Sequence, residues 1–370
     1  QVGQTRITAR SEFGFNTIAR MVPIARKAHY FQTNEEGYFV DAEGNVLENP
    51  LDGRITSTRR IMDVPWGPYK TYDNVDRFFR PGHYTAFTVT MAQNSPTTNF
   101  NISYNNSETA GILEGNDGFN RHSFRINVDH RPRDDLSLRI TGYHMRSFRD
   151  RVAGEPFEDL LRFLPDVDLG APGLTREPYL IQPGAPFTST LNPLYNEWAH
   201  DYWEKRARTQ GGITVRYTPV GWLTLDANLG YDRSDRLLHD YIPKGVKLAQ
   251  DDNQGADGYY RLYTGITDSF TGTFTATLMK AFGPLTARTY YRAVLEREDN
   301  RTQEQVGENL AVRNVKDISV ALDRQMNSGI IDSRATGHMV ATALDYDDKY
   351  IADLLIRRDG SSRFGPESRW

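Results

Sequence analysis

Apolar side chains fall on every second position in eleven segments of this chain. Period two is the strand period, because successive side chains of a pleated backbone point to opposite sides. The segments are 5–13, 85–92, 99–106, 123–130, 136–148, 212–218, 223–231, 270–280, 285–295, 336–346 and 350–356. In the third, Phe100, Ile102 and Tyr104 alternate with Asn101, Ser103 and Asn105. In the fourth, Phe124, Ile126 and Val128 alternate with Arg125, Asn127 and Asp129. Leu223, Leu225, Ala227, Leu229 and Tyr231 keep one phase, as do Phe270, Phe274, Ala276 and Leu278. In 136–148 the phase passes from Leu136, Leu138 and Ile140 to Tyr143 and Met145, which predicts a β-bulge at Gly142.

The connections alternate too. Those at 93–98, 131–135, 219–222, 281–284 and 347–348 are tight; those at 16–84, 107–122, 149–211, 232–269 and 296–334 are long. Short turns at one rim and long loops at the other are the signature of an up-and-down transmembrane barrel. A soluble barrel has no reason to gather every insertion at one end. The expected fold is therefore all-β, an antiparallel up-and-down transmembrane β-barrel, here a partial one of about eleven strands. Inside the third long loop, 157–164 has the pattern of a short amphipathic helix with Leu160, Leu161 and Leu164 on one side. In the first, Asp41-Ala42-Glu43-Gly44-Asn45 reads as a hairpin turn.

Composition agrees with this picture. Hydrophobic residues are 38% of 370, the mean hydropathy is −0.62, and no run approaches the ~18 apolar residues of a membrane helix. Barrel strands escape that test because lipid meets only alternate side chains. Aromatic residues reach 12%, and Trp222, Phe282, Tyr346 and Tyr350 stand beside short turns, where an interfacial belt belongs. There is no cysteine, so disulfides and thiolate chemistry are excluded. A net charge of −4 gives no nucleic-acid footprint. The polar faces, with Arg125, Asn127, Asp129, Arg139, Arg216, Asp226 and Asn228, fit either a barrel lumen or the wet side of a soluble sandwich.

Catalytic chemistry is not legible. No histidine pair has metal spacing, and no Gly-x-Ser-x-Gly elbow occurs. The acidic stretch 251–257 echoes a calcium loop but places Gly255 where a ligand belongs, so a solvated loop tip is the better reading. The expectation is a non-enzyme without cofactor or metal. The third long loop interleaves Tyr179, Tyr195, Trp198, Tyr202 and Trp203 with Asn192, Asn196, Glu197 and Asp201. Flat aromatic faces beside amides and carboxylates suit a sugar-like ligand or a protein partner. Partner contact or loop packing is favoured over direct ligand contact.

The last stretch carries a resemblance. A strand beginning at Tyr350 leads through Arg357 into Arg358-Asp359-Gly360-Ser361-Ser362-Arg363-Phe364-Gly365, with Ser368-Arg369-Trp370 beyond. This resembles the signature of SusC/RagA-type TonB-dependent outer-membrane transporters. Three other stretches resemble, in turn, the first barrel strand, the lead into the second strand and a later strand of that family. They are 3–14, the run Asn74 to Gly82 with Phe78-Phe79, and the run Asn120 to Asn127. The resemblance implies residues 1–370 as a partial barrel domain in the bacterial outer membrane, with the plug, the signal sequence and later strands outside it. It further implies TonB-dependent import of a nutrient, an oligosaccharide or a peptide. The implied partners are a SusD-like surface lipoprotein, the TonB complex and outer-membrane lipid. Within the motif, Gly360 is expected to turn the chain sharply, and Asp359 to pair with an arginine or to accept backbone N–H bonds, holding that corner. The alternative from another class is a soluble or surface-attached β-rich carbohydrate-binding protein, which requires two stacked sheets around a dense core.

An eleven-stranded piece leaves 5–13 and 350–356 as unpaired edges, which invite association. Residues 1–370 in aqueous buffer without detergent are expected to show no sharp, reversible thermal transition by circular dichroism. Such a transition contradicts the reading.

Overall fold

The computed structural model describes residues 3–20, 32–33, 39–40, 45, 72–152, 154–163, 168–173, 178–179, 192–246 and 257–365. In chain order the strands are β1 (Thr5–Asn16), β2 (Gln32–Thr33), β3 (Phe39–Val40), β4 (Gly82–Asn94), β5 (Thr98–Thr109), β6 (Phe119–Arg133) and β7 (Leu136–Asp150). They continue with β8 (Asp201–Val220), β9 (Leu223–Ile242), β10 (Tyr259–Phe282), β11 (Leu285–Leu310), β12 (Ala321–Tyr346) and β13 (Tyr350–Ser361). β2 and β3 form a small hairpin of their own. The other eleven make one antiparallel sheet in sequence order, β1-β4-β5-β6-β7-β8-β9-β10-β11-β12-β13. All eleven segments expected from periodicity are strands of this sheet.

Register divides the sheet into two faces. Phe100, Val128, Ile140, Ile213, Leu229, Gly272, Leu295, Thr336 and Gly360 follow one another across it on one side. Asp129, Arg139, Thr214, Asn228, Thr273, Val294, Gly337 and Asp359 follow on the other. The second side is the polar one, and a hollow of about 720 Å³ runs along it across six consecutive strands from Thr214 and Arg216 to Asp353 and Leu355; a barrel wall curves around its polar side, which makes this the concave face. The first is therefore convex, and no second layer covers it among the described residues. Leu229 is 50% exposed, Phe274 42% and Leu278 41%, and none of Phe100, Ile102, Tyr104, Phe124, Ile126, Val128 or Leu225 is buried. A single curved wall with its apolar face outward is the architecture of a transmembrane barrel and excludes the two-sheet sandwich.

The apolar band has the thickness of a membrane. On β9 it runs nine residues, from Leu223 to Tyr231; a tilted strand needs about 9–11 residues to cross the hydrocarbon. At its upper edge stand convex tyrosines: Tyr104 shares a hydrogen bond with His122 (2.9 Å) and Tyr231 donates to Asp268 (2.7 Å). Within the band, level with Leu225 through Ala276, Tyr291 shares one with His338 (2.8 Å). Trp222, Phe282, Tyr346 and Tyr350, at the other end, are exposed as a lower belt requires.

Several expectations need correction. The strands are longer and the loops shorter than the apolar alternation implied, because β11 and β12 each run 26 residues, roughly 85 Å at about 3.3 Å per residue. Tyr202 and Trp203 accordingly lie on β8 rather than in a loop. Gly142 is not a bulge, for the ladder passes unbroken through Ile126–Gly142 and Gly142–Gly211. It stays on the convex face, where a Cβ would come within 2.7 Å of Ile126 Cγ2, while Tyr143 turns to the concave side with Arg125. Register shifts occur instead beside two short turns, at His130/Arg133 and Tyr217/Val220. Gly360 does not turn the chain either, since it is paired with Thr336 inside β13. The turn follows at Ser361, where Phe364 N–H bonds the Ser361 carbonyl at 3.3 Å.

The tight turn at Asp347 and Asp348 adopts φ of 54° and 53°, with Lys349 N–H on the Tyr346 carbonyl at 3.0 Å. Two successive left-handed residues make the hairpin turn whose twist matches the flanking strands, and aspartate tolerates that conformation. Residues 41–44, Leu164 and 251–256, where a hairpin turn, a helix position and a weak calcium echo were read, lie outside the described residues.

The two faces give a direct test. Leu229→Arg is expected to cost about 2–4 kcal/mol of membrane stability, while Asn228→Arg, one residue away on the concave side, costs little. Equal effects in urea unfolding of the lipid-reconstituted full-length protein contradict the assignment.

Candidate functional site

Three short helices gather at the long-loop rim. α1 (Asn74–Phe78) begins at Asp73, whose Oδ1 accepts the Asp76 N–H at 3.1 Å. α2 (Pro156–Arg162) and α3 (Pro193–Ala199) each start with proline, which loses no intrahelical hydrogen bond in the first turn. Asn192 caps α3 through the Leu194 N–H at 2.9 Å. Val75, Phe78, Leu160, Phe163, Leu169 and Leu194 close into a small core among these pieces. Leu160 is buried and Leu161 is 44% exposed, so the predicted helix forms but buries a narrower stripe than expected.

Two buried asparagines tie the loops together. Asn74 Oδ1 accepts the Leu169 N–H (3.0 Å), and Asn192 Nδ2 donates to the Leu169 carbonyl (2.9 Å). Both peptide groups of a fully buried residue are thus satisfied by segments far apart in sequence, which fixes the loops in one arrangement. A second cluster of Tyr195, Ala199, Ile242 and Val246 seats α3 on the ends of β9 and β10. Tyr179 packs against both clusters.

The structure separates the candidate aromatics. Tyr195 is 1% exposed, and its ring centroid lies 5.6 Å from that of Trp198, which is 44% exposed. With Tyr179 they form one group at the rim. Tyr202 and Trp203 point to opposite faces. Tyr202 is concave, with the Arg151 guanidinium 5.2 Å over its ring. Trp203 is convex and stacks on His239 at 4.6 Å and 5°. The motif residues sit on β13 and the turn after it. Arg357 Nε binds Asp359 Oδ2 at 2.7 Å, an exposed pair within one strand. Asp359 also packs over Gly337, where a Cβ would meet Asp359 Oδ1 at 2.6 Å. Ser362 closes the ladder, giving its N–H to the Arg334 carbonyl and accepting the Arg334 N–H on its hydroxyl, both at 2.8 Å. Arg358 stands opposite His338 on the convex face, Arg363 N–H reaches the Ser361 hydroxyl at 3.3 Å, Phe364 is 60% exposed, and Gly365 follows without a regular element.

Sequence reasoning missed the ionic centre beneath the helices. Glu204 is 5% exposed and receives Arg151 Nη1 at 2.7 Å, Arg236 Nη2 at 3.0 Å, and Arg206 Nε. Burial alone would raise this carboxylate, but the hydrogen bonds from Arg236 and Arg206 outweigh it and hold the group below its usual range. Nearby, Arg261 binds Glu304 at 2.7 Å. Burial pushes Asp240 up to about 6 and His200 down to about 4, with 3.5 Å between His200 Nε2 and Asp240 Oδ1. The signal was present in the alternation of Glu204, Arg206 and Arg208, but an all-polar alternation reads as loop. Below this centre the concave face carries a polar ladder: Asp129–Arg139 (2.6 Å), Arg216–Asp226 (2.7 Å), Thr214–Asn228 (2.8 Å) and Arg292–Thr275 (3.1 Å). The arrangement supplies hydrogen bonds and ion pairs to whatever crosses the concave face.

Removing Glu204 leaves three arginines facing one another. Glu204→Ala is expected to destabilise the rim by roughly 1–3 kcal/mol, below the ~3–5 of a fully buried pair because the arginines are a third to a half exposed. Protease sensitivity of the 151–200 connection in the full-length protein measures this; wild-type resistance contradicts it.

No family profile and no curated protein matches the chain. Solved structures do. The RagAB peptide importer in its closed-closed state superposes with a TM-score of 0.67 at 14% identity, over 100% of this chain and 44% of that one. Its open-open state gives 0.64 at 15% identity, over 100% and 43%. A further structure of the RagAB peptide transporter gives 0.61 at 15% identity, over 81% and 34%. The chain spans less than half the length of the solved structures it matches, and what it shares with them is the fold.

Proposed function

We propose that residues 1–370 form part of the barrel wall of a SusC/RagA-type, TonB-dependent importer of the bacterial outer membrane. The observation that carries this reading is the polarity of the single sheet. Its convex face is an apolar band of membrane thickness, its concave face is a polar ladder, and the described helices and their cores gather at one rim. Such a wall needs lipid outside and a polar passage inside. The likeness in fold to the RagAB peptide importer supports the same reading. The motif from Arg358 to Gly365, retained as a strand and tight turn, supports the family assignment.

The cargo is an oligopeptide or an oligosaccharide, large enough to need active uptake. TonB supplies the work through parts of the transporter outside this segment. A SusD-like surface lipoprotein covers the rim, and exposed Trp198 of the aromatic group with Tyr179 and Tyr195 is placed to meet it. Tyr202, beside Arg151 on the concave face, is placed to meet cargo. Trp203, on the convex face, takes neither role. No bond-making step is assigned to the site. The second reading, a β-rich carbohydrate-binding protein, finds no stacked sheets among the described residues.

The test is uptake by cells carrying the full-length transporter. Import of a labelled oligopeptide or oligosaccharide pool is expected to stop on addition of a protonophore, and Trp198→Ala to weaken retention of the lipoprotein in pull-downs while leaving barrel abundance unchanged. Uptake that survives the protonophore, or recovery of the protein in the aqueous fraction, contradicts the proposal.

A further inference from the structure

We propose that the convex face carries a specific groove for an anionic, phosphate-bearing lipid of the surrounding membrane, with Arg146 and Lys205 as the headgroup contacts. This rests on the membrane-wall reading above and adds a site to it. A depression of about 450 Å³ lies outside the sheet across β6 to β10. Register fixes its side. Arg146 stands opposite His122 and Ala207, and Ala207 opposite Asp235, all in phase with the lipid-facing run Leu136, Leu138 and Ile140 of β7. The floor is apolar, from Phe148, Ala207, Leu237 and Ile266. An acyl chain packs against such a floor by van der Waals contact.

Two cations without a carboxylate partner line this depression together; Lys280 and Arg324, also convex and without one among the described residues, lie outside it. Arg233, Arg297, Arg301 and Arg334, also convex, each meet an aspartate: Asp235, Asp332, Asp299 and Asp332, at 2.7–3.4 Å. Arg146 and Lys205 are exposed and meet no carboxylate among the described residues. Lys205 Nζ stands instead 4.5 Å over the Trp203 ring. The one carboxylate at the rim, Asp235, is held by Arg233 Nε at 3.1 Å and Arg233 Nη2 at 3.0 Å. The groove therefore presents net positive charge above an apolar floor. Arg146 lies four positions beyond Gly142, which stands level through Gly211 with Tyr231 at the top of the apolar band, and this is headgroup depth for long side chains that extend toward the interface. A guanidinium fork and an ammonium point charge are the usual pair for a phosphate oxygen set.

The measurement is native mass spectrometry of the full-length transporter, extracted in mild detergent and offered equimolar phosphatidylglycerol and phosphatidylcholine. The expected result is a phosphatidylglycerol adduct in preference to phosphatidylcholine. The double variant R146Q/K205Q should weaken it about tenfold or more, since each cation near a lipid surface contributes ~1 kcal/mol. Arg146→Lys should retain most of it. Ala207→Phe, which keeps both cations but fills the floor, should lose it. Lys280→Gln, a convex cation at the opposite end of β10, should leave it unchanged. An adduct equally strong in R146Q/K205Q and wild type overturns the proposal, as does equal weakening in Lys280→Gln, which marks diffuse attraction. Recovery of the wild-type protein in the aqueous fraction overturns the membrane-wall reading and this one together. Membrane recovery without lipid preference overturns this one alone.

Discussion

Every peptide group at membrane depth has to find its hydrogen bond inside the sheet, because lipid supplies none. The rest of this structure answers to that demand. It explains why each strand pairs only with its sequence neighbours: an up-and-down order lets a two- or three-residue turn hand the chain directly to the next ladder, with no crossover to bury. It also explains the evenness of the register, which slips only beside two short turns, outside the hydrocarbon. A strand in the middle of the band cannot open its ladder without stranding donors and acceptors in oil.

Once the backbone is committed to the sheet, side chains sort by face. The convex side is covered by leucine, isoleucine, valine and phenylalanine over about nine residues per strand, then ends at Tyr104 and Tyr231, whose hydroxyls bond a neighbour on the next strand. The concave side spans the same depth with arginine–aspartate and threonine–asparagine pairs. These pairs satisfy one another across adjacent strands, which keeps the inner wall polar at this depth. Above the membrane both faces are wet. There β8 to β12 continue for as much again, and the loop helices pack together at this rim through Leu169, Asn74 and Asn192.

This division decides what could be read from the chain. Within the hydrocarbon the apolar residues alternate, and all eleven strands were legible, along with the side on which Phe100, Phe124, Leu229 and Phe274 fall. Above it, segments such as Arg297 to Glu308 alternate polar with polar, so the upper halves of β8 to β12 carry the pattern of loops. The same blindness hid Glu204 and its three arginines. Gly142 misled for another reason: a glycine between Ile140 and His144 breaks the apolar run without breaking the ladder. Local turn chemistry was readable where two aspartates had to take positive φ at 347 and 348. It was misread at Gly360, whose extended pairing with Thr336 depends on β12 rather than on its own conformational freedom. The mutual arrangement of Tyr179, Tyr195 and Trp198 depends on contacts between segments distant in sequence, which no local pattern encodes.

The central claim is that one face of this sheet meets lipid and the other a polar lumen. Single spin labels placed at each position from 223 to 231 in the full-length protein, reconstituted in a bilayer, test it most directly. Collision with oxygen, which concentrates in lipid, should peak at 223, 225, 227, 229 and 231, and collision with a water-soluble nickel complex at 224, 226, 228 and 230. Accessibility without a two-residue period, or with both probes peaking at the same positions, contradicts the account.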